Sequence, residues 1–205
     1  MIPKGWIPRF HKTEVLLHWA NAAPFVILIL TGAWIAIDGY LGLQRAEWLG
    51  DTHKFFSVLL IALPPLVILA GESKIIITNV KEIFSFGDVD RQWLQDQKKG
   101  GHSPQGKFNL GQKINAIASI VNSILLQLTG IWLWLSPQGL LPRWLHILIG
   151  IVATFLVMGH IFMATMNKST KKGLPGIFHG WVPRDYMEEH HRLQLDEIER
   201  GDYEN

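Results

Sequence analysis

The stretch WLHILIGIVATFLVMGHIFMATMN, Trp144 to Asn167, decides the fold. It holds no Asp, Glu, Lys or Arg, and its length falls within the roughly 17–25 apolar residues that cross a hydrocarbon layer. Two histidines sit in it, His146 near one end and His160 near the other. Fourteen helical steps of about 100° return to within about 40° of the start, and about 1.5 Å per residue separates the two by about 21 Å. A single spanning helix therefore presents both imidazoles on one face, each close to an opposite surface of the membrane.

Three further runs are free of charged residues: Val15–Ile37, Phe55–Gly71 and Ile114–Pro142. The first and third are long enough to span. The second gains length by starting near Trp48 or Asp51. The first run is longer than the apolar core of a signal peptide and has no convincing small-residue cleavage site, so it is expected to persist as a helix. The chain has no cysteine, which excludes iron–sulfur ligation through thiolates, covalent haem attachment and disulfides. A formal net charge of +2 gives no reason to expect nucleic acid.

Basic residues fix the expected orientation. Lys4, Arg9 and Lys12 precede the first span. Lys74, Lys81, Arg91, Lys98, Lys99, Lys107 and Lys113 lie between the second and third. Lys168, Lys171, Lys172, Arg184, Arg192 and Arg200 follow the fourth, whereas only Arg45, Lys54 and Arg143 face the other side. The positive-inside rule puts both termini and the long middle loop in the cytoplasm. Trp34, Tyr40, Trp48, Trp132, Trp134 and Trp144 then map to the outer interface, where amphipathic rings favour the headgroup layer. The sequence shows no internal repeat. It parses as a four-helix membrane domain over 1–170 with a cytoplasmic loop at about 72–108, and a cytoplasmic tail over 171–205. The loop is expected to be an interfacial helix followed by a polar segment, and the tail a charged helix from about Pro183 to Glu199.

The orientation assigns a depth to each histidine within the spans. His18 and His160 lie near the cytoplasmic surface, His53 and His146 near the outer one. A lone histidine at a helix end is commonly interfacial, but ionisable residues inside spans default to a functional reading. Four that match pairwise in depth form two bis-imidazole sites. Such a site suits haem iron and leaves it no open position for oxygen. Gly32 lies on the His18 face at the level of the outer pair, with Gly130 and Gly150 near the same depth. A residue without a side chain admits a flat macrocycle, although glycine is also common at helix contacts in membranes. His11, His102, His179, His190 and His191 lie outside the hydrocarbon, with solvated or partner-facing roles expected.

The motifs RFHKTEVLLHW (residues 9–19), GKFNLGQK (residues 106–113), GHIFMA (residues 159–164) and His190–His191 carry a resemblance over nearly the whole chain. It resembles the cytochrome b (gamma) subunit of membrane-bound respiratory formate dehydrogenases, and more loosely the b subunits of nickel–iron hydrogenases and thiosulfate reductases. The resemblance implies an all-α integral membrane protein, a four-transmembrane-helix bundle with two haems b and cytoplasmic termini. It implies His18 and His160 as ligands of the cytoplasmic-side haem and His53 and His146 as ligands of the outer one, the pairing that depth alone gives. It also implies a menaquinone site beside the cytoplasmic haem, to which Asn109, Gly111 and Gln112 contribute. Asn109 and Gln112 can donate hydrogen bonds to a quinone carbonyl, and Asn109 is equally readable as a helix N-cap.

The expected partners are an iron–sulfur subunit and a molybdenum or tungsten catalytic subunit, besides membrane lipid and quinone. The expected location is the inner membrane. Electrons would enter at the outer haem, cross to the inner one and reduce quinone, with protons taken from the cytoplasm. Three alternatives stay open: a b subunit of a hydrogenase or thiosulfate-reductase complex, an autonomous cytochrome b561-like reductase, and a haem-free anchor for a periplasmic enzyme.

Overall fold

The computed structural model describes residues 2–44, 46–101 and 103–201. The expectations for Arg45, His102 and the last four residues of the tail fall outside them. Strand β1 (Trp6–Pro8) leads into helix α1 (Lys12–Leu41), then α2 (Glu47–Ala70), α3 (Ser73–Ile83), α4 (Asp88–Lys98), α5 (Leu110–Leu135) and α6 (Leu140–Thr165). After a 3-10 turn at Lys171–Gly173 come α7 (Gly176–His179), β2 (Trp181–Pro183), α8 (Arg184–His190) and α9 (Arg192–Arg200).

Helices α1, α2, α5 and α6 are each long and apolar enough to cross a membrane. Helix α2 begins at Glu47, within reach of the extension expected from Trp48. Prolines inside α1 (Pro24) and α2 (Pro64, Pro65) are tolerated in such helices because the freed carbonyls find other partners. Large side chains such as Leu69 and Leu135, both 82% exposed, need hydrocarbon around them.

The chain divides into two compact units: Leu16–Ala70 with Ala118–Gly159, and Met1–Val15 with Gly71–Ile117 and His160–Asn205. The helical unit contains most of the four long helices. Within it Leu49 and Ala153 are almost fully buried, and Asn122 Nδ2 on α5 donates to the Ile149 carbonyl of α6 at 3.3 Å.

The other unit is built around a two-stranded antiparallel ribbon that pairs Trp6 with Pro183, Ile7 with Val182 and Pro8 with Trp181. Val182, Tyr186, Met187 and Leu195 form its apolar core, with Ile7 and Ile198 packed against them. Gly180 adopts φ +82°, and a Cβ there would meet the Phe10 carbonyl oxygen. Its own carbonyl accepts from the backbone N–H of both Arg9 and Phe10, each at 2.8 Å.

Three expectations are revised here. The polar part of the middle loop contains a second helix, α4, whose N-cap backbone N–H at Gly87 donates to Asp90 Oδ2 at 3.0 Å. The charged tail helix is broken at His191, whose extended φ of −138° separates α8 from α9. His191 itself is not solvated: it is fully buried and its Nδ1 donates to the Gly106 carbonyl at 2.7 Å. Burial, reinforced by the Arg9 guanidinium, holds its pKa well below the usual histidine value.

Candidate functional site

His53 lies in the second turn of α2 and His146 in the second turn of α6. In the helical unit their rings stand with centroids 6.2 Å apart and planes crossed at 79°. Each ring is held by a threonine of the preceding long helix. Thr31 donates its hydroxyl proton to the Ile27 carbonyl at 2.8 Å, with the Leu28 carbonyl at 3.3 Å. With that proton committed, Thr31 Oγ1 accepts from His53 Nδ1–H at 2.8 Å. Thr129 repeats the arrangement, donating to the Leu125 carbonyl at 2.8 Å and accepting from His146 Nδ1–H at 2.8 Å. This network assigns the proton to Nδ1 in both rings. Nε2 keeps its lone pair, the state in which imidazole binds metal.

The adjacent glycines shape the same ring edges. A Cβ on Gly32 would come 3.1 Å from His53 Cε1, and one on Gly130 would come 3.4 Å from His146 Cε1. Gly150 has no such neighbour within 4 Å.

This donor set suits a haem. A metal–imidazole bond of about 2.0 Å and a ring radius of about 1.1 Å place two imidazole centres roughly 6.2 Å apart across one iron. Among the described residues no three His, Asp or Glu side chains gather as a metal site. Two imidazoles alone suit a metal whose remaining ligands come from a macrocycle.

Thr31 and Thr129 were not among the residues expected from sequence, and a signal for them exists. Leu30-Thr31-Gly32-Ala33-Trp34 and Leu128-Thr129-Gly130-Ile131-Trp132 are the same L-T-G-x-W motif. The expectation of no internal repeat is corrected at this scale.

His18 is half-buried in α1, within the helical unit, edge-on to Trp19 at 5.5 Å between ring centres. His160 lies on α6 in the ribbon unit.

The GKFNLGQK motif opens α5. Asn109 and Gln112 form a reciprocal capping box: Gln112 N–H donates to Asn109 Oδ1 at 2.9 Å, and Asn109 N–H to Gln112 Oε1 at 3.0 Å. The N-cap reading of Asn109 is thus realised. Both side-chain oxygens serve the cap, and the amide nitrogens Nδ2 and Nε2 are what the pair has to offer a ligand. Gly111 lies against the Trp93 indole of α4, where a Cβ would come within 3.2 Å. Lys113 Nζ, nearly buried, donates to the Ser85 carbonyl at 2.9 Å and pairs with Asp90 at 3.0 Å.

Buried charge continues around this motif. Lys107 and Glu14, with side chains only 6% and 9% exposed, pair at 2.6 Å. Glu14 also accepts from Asn79 Nδ2 at 2.6 Å and from the His11 N–H at 2.7 Å. Burial lowers the Lys107 pKa, opposed by Glu14. Burial raises that of Glu82, whose Oε1 accepts from the Phe108 N–H at 3.3 Å.

A crossed imidazole pair among four helices of membrane-crossing length fits a membrane-bound cytochrome. The family model of prokaryotic cytochrome b561 matches residues 9–180, and the chain belongs to that family. The cytochrome b556(fdo) subunit of formate dehydrogenase from Escherichia coli strain K12 is 22% identical over 206 residues, which cover 95% of this chain and 94% of the relative. The same subunit from E. coli strains O6:H1 and O157:H7 matches to the same extent. The protein is a multi-pass membrane cytochrome b related to a formate dehydrogenase subunit, and its family implies haem b and a role in electron transfer.

Proposed function

We propose that the chain is the di-haem subunit of a respiratory oxidoreductase of formate dehydrogenase type. It would carry electrons across the inner membrane from a periplasmic iron–sulfur subunit, served by a molybdenum or tungsten catalytic subunit, to menaquinone on the cytoplasmic side. The observation that carries the reading is the His53–His146 pair, 6.2 Å apart with both Nδ1 atoms engaged by threonine. Its kinship with a subunit named for formate dehydrogenase supports the partners. The distribution of Lys and Arg supports cytoplasmic termini.

His53 and His146 hold the outer haem, and His18 with His160, matched in depth on the sequence, the inner one. A haem held by these histidines would supply one-electron transfer. At the start of α5, Asn109 Nδ2 and Gln112 Nε2 donate to a quinone carbonyl while their oxygens hold the cap. Gly111 keeps the backbone of this turn tight under Trp93. Glu82 keeps a proton on its carboxyl more readily than an exposed glutamate does, and it is tied to Phe108, the residue before Asn109. That supports Glu82 as the acid that supplies this turn from the cytoplasm.

The family's description as a cytochrome b561 favours a second reading, an autonomous transmembrane reductase. One experiment separates the two. The tagged chain is purified from its native membrane in mild detergent, and its haem is assayed as the pyridine haemochrome alongside its partners. Two b haems per chain with large co-purifying redox subunits is the expected result. Two haems on a chain that purifies alone transfers the proposal to the autonomous reading, and a colourless folded chain refutes both.

A further inference from the structure

Resting on the assignment of a haem to His53 and His146, we propose that Thr31 and Thr129 are positioning residues that hold its two axial imidazoles crossed and thereby set its electronic class and reduction potential. Each ring is fixed along one edge at two adjacent atoms. Nδ1 is tied to a threonine hydroxyl at 2.8 Å, and Cε1 faces the glycine that follows that threonine, where a Cβ would come within 3.1 Å of His53 and 3.4 Å of His146. Each threonine is itself anchored, because its proton is spent on its own helix at the carbonyl four residues back. The hydroxyl oxygen cannot turn away without losing that bond. An imidazole is otherwise free to rotate about its bond to iron, and a hydrogen bond at Nδ1 stops that rotation. Because α1 clamps one ring and α5 the other, the 79° between the planes comes from two separate helices.

The crossing angle has an electronic consequence. With parallel planes, both imidazoles donate into the same iron d orbital and split it from its neighbour. With crossed planes each donates into a different one, the two stay nearly degenerate, and the oxidised low-spin iron becomes strongly anisotropic. The hydroxyl acceptors also matter for potential. An acceptor at Nδ1–H makes the imidazole a better donor and favours ferric iron. Removing it raises the midpoint potential.

The test uses the full complex as purified, with T31V, T129V and the double variant beside T31S and T129S. Valine keeps the β-branched shape and removes the acceptor; serine restores it. Low-temperature EPR of the oxidised protein and potentiometric titration are the readouts, with H146A identifying which signal belongs to this haem. The wild type is expected to give a strongly anisotropic low-spin signal for this haem. Each valine variant should shift it toward a less anisotropic one and raise its potential, and each serine variant should restore both. Haem loss in valine variants with retention in serine variants, in keeping with the roughly 10–100-fold cost of losing an outer-shell partner, also supports the role.

Valine variants that keep the haem with unchanged signal and potential overturn the proposal, as do serine variants that behave like valine or a wild-type signal of the parallel class. A wild-type protein lacking a bis-imidazole haem that H146A abolishes sinks the underlying haem assignment instead.

Discussion

Substituting Gly32 by alanine tests the outer site through a single added carbon. The new Cβ would stand 3.1 Å from His53 Cε1, whereas carbon atoms rest at about 3.5–4.0 Å. The ring must retreat by roughly 0.4–0.9 Å, and a functional constellation tolerates about 0.5 Å. That retreat also stretches the 2.8 Å bond to Thr31 and changes the 6.2 Å separation from the His146 ring. Overpacking of this kind costs about 1–3 kcal/mol, equivalent to roughly 5–150-fold weaker retention of the outer haem. On the proposed two-haem assignment, the pyridine haemochrome ratio of purified G32A should fall from two per chain toward one, with the spectrum of the haem assigned to His18 and His160 unchanged. G130A meets its ring at 3.4 Å and should lose much less. G39A, exposed on the same helix with nothing within 4 Å, should keep both haems. A G32A protein with full haem content and an unaltered spectrum would refute the reasoning, as would equal losses in all three variants.

The other expectations concern the ribbon unit. N109D keeps the oxygen that caps α5 but removes the amide donor, so quinone reduction should fall about tenfold or more while the melting temperature holds; N109A should lower both, the cap being worth about 1 kcal/mol. E14Q removes the carboxylate paired with the buried Lys107 ammonium and should destabilise this unit by about 3–5 kcal/mol, read as faster proteolysis of residues 71–117. E14Q combined with K107M should recover most of that loss, and a double variant as fragile as E14Q would show that the charge pair is not the cause. His191 has a lowered folded pKa, so between that value and 6.5 the unfolded chain binds a proton that the native one does not. Its contribution to stability is complete above about pH 6.5 and is lost as pH falls, with a slope of up to about 1.4 kcal/mol per pH unit. Urea titrations from roughly pH 7 to 5 should show H191Q with a shallower acid slope than wild type, and parallel slopes would remove His191 from the account.

What the sequence made legible followed from strong local signals. Charge-free runs located all four long helices, because no other pattern lets that much apolar surface persist, and the histidine spacing on α6 was visible as simple helical geometry. The N-cap role of Asn109 was available because capping is a four-residue affair. Other features depend on contacts between distant segments and leave almost no local trace. Strands of three residues ending in proline carry no alternation to detect. His191 reads as a tail histidine until Gly106 and Arg9 are seen to enclose it. Helix α4 hid in a polar stretch because its anchor, Asp90 to Lys113, lies 23 residues away. Thr31 and Thr129 were legible in principle, but a hydroxyl in an apolar helix ordinarily bonds its own backbone, and only its second partner gives it a function.

The pairing of residues 6–8 with residues 181–183 orders the events of biosynthesis. At about 5–20 residues per second, translation needs on the order of 10–35 s to reach the second strand after the first has left the ribosome. Through that interval Ile7 and the exposed edge of β1 wait without Val182, while all four long helices are made and inserted. The ribbon therefore closes only on a chain whose membrane helices are already complete. A chain truncated before Trp181 would keep an open strand edge of the sort proteases and aggregation exploit, so the closed ribbon reports that all four long helices have been made.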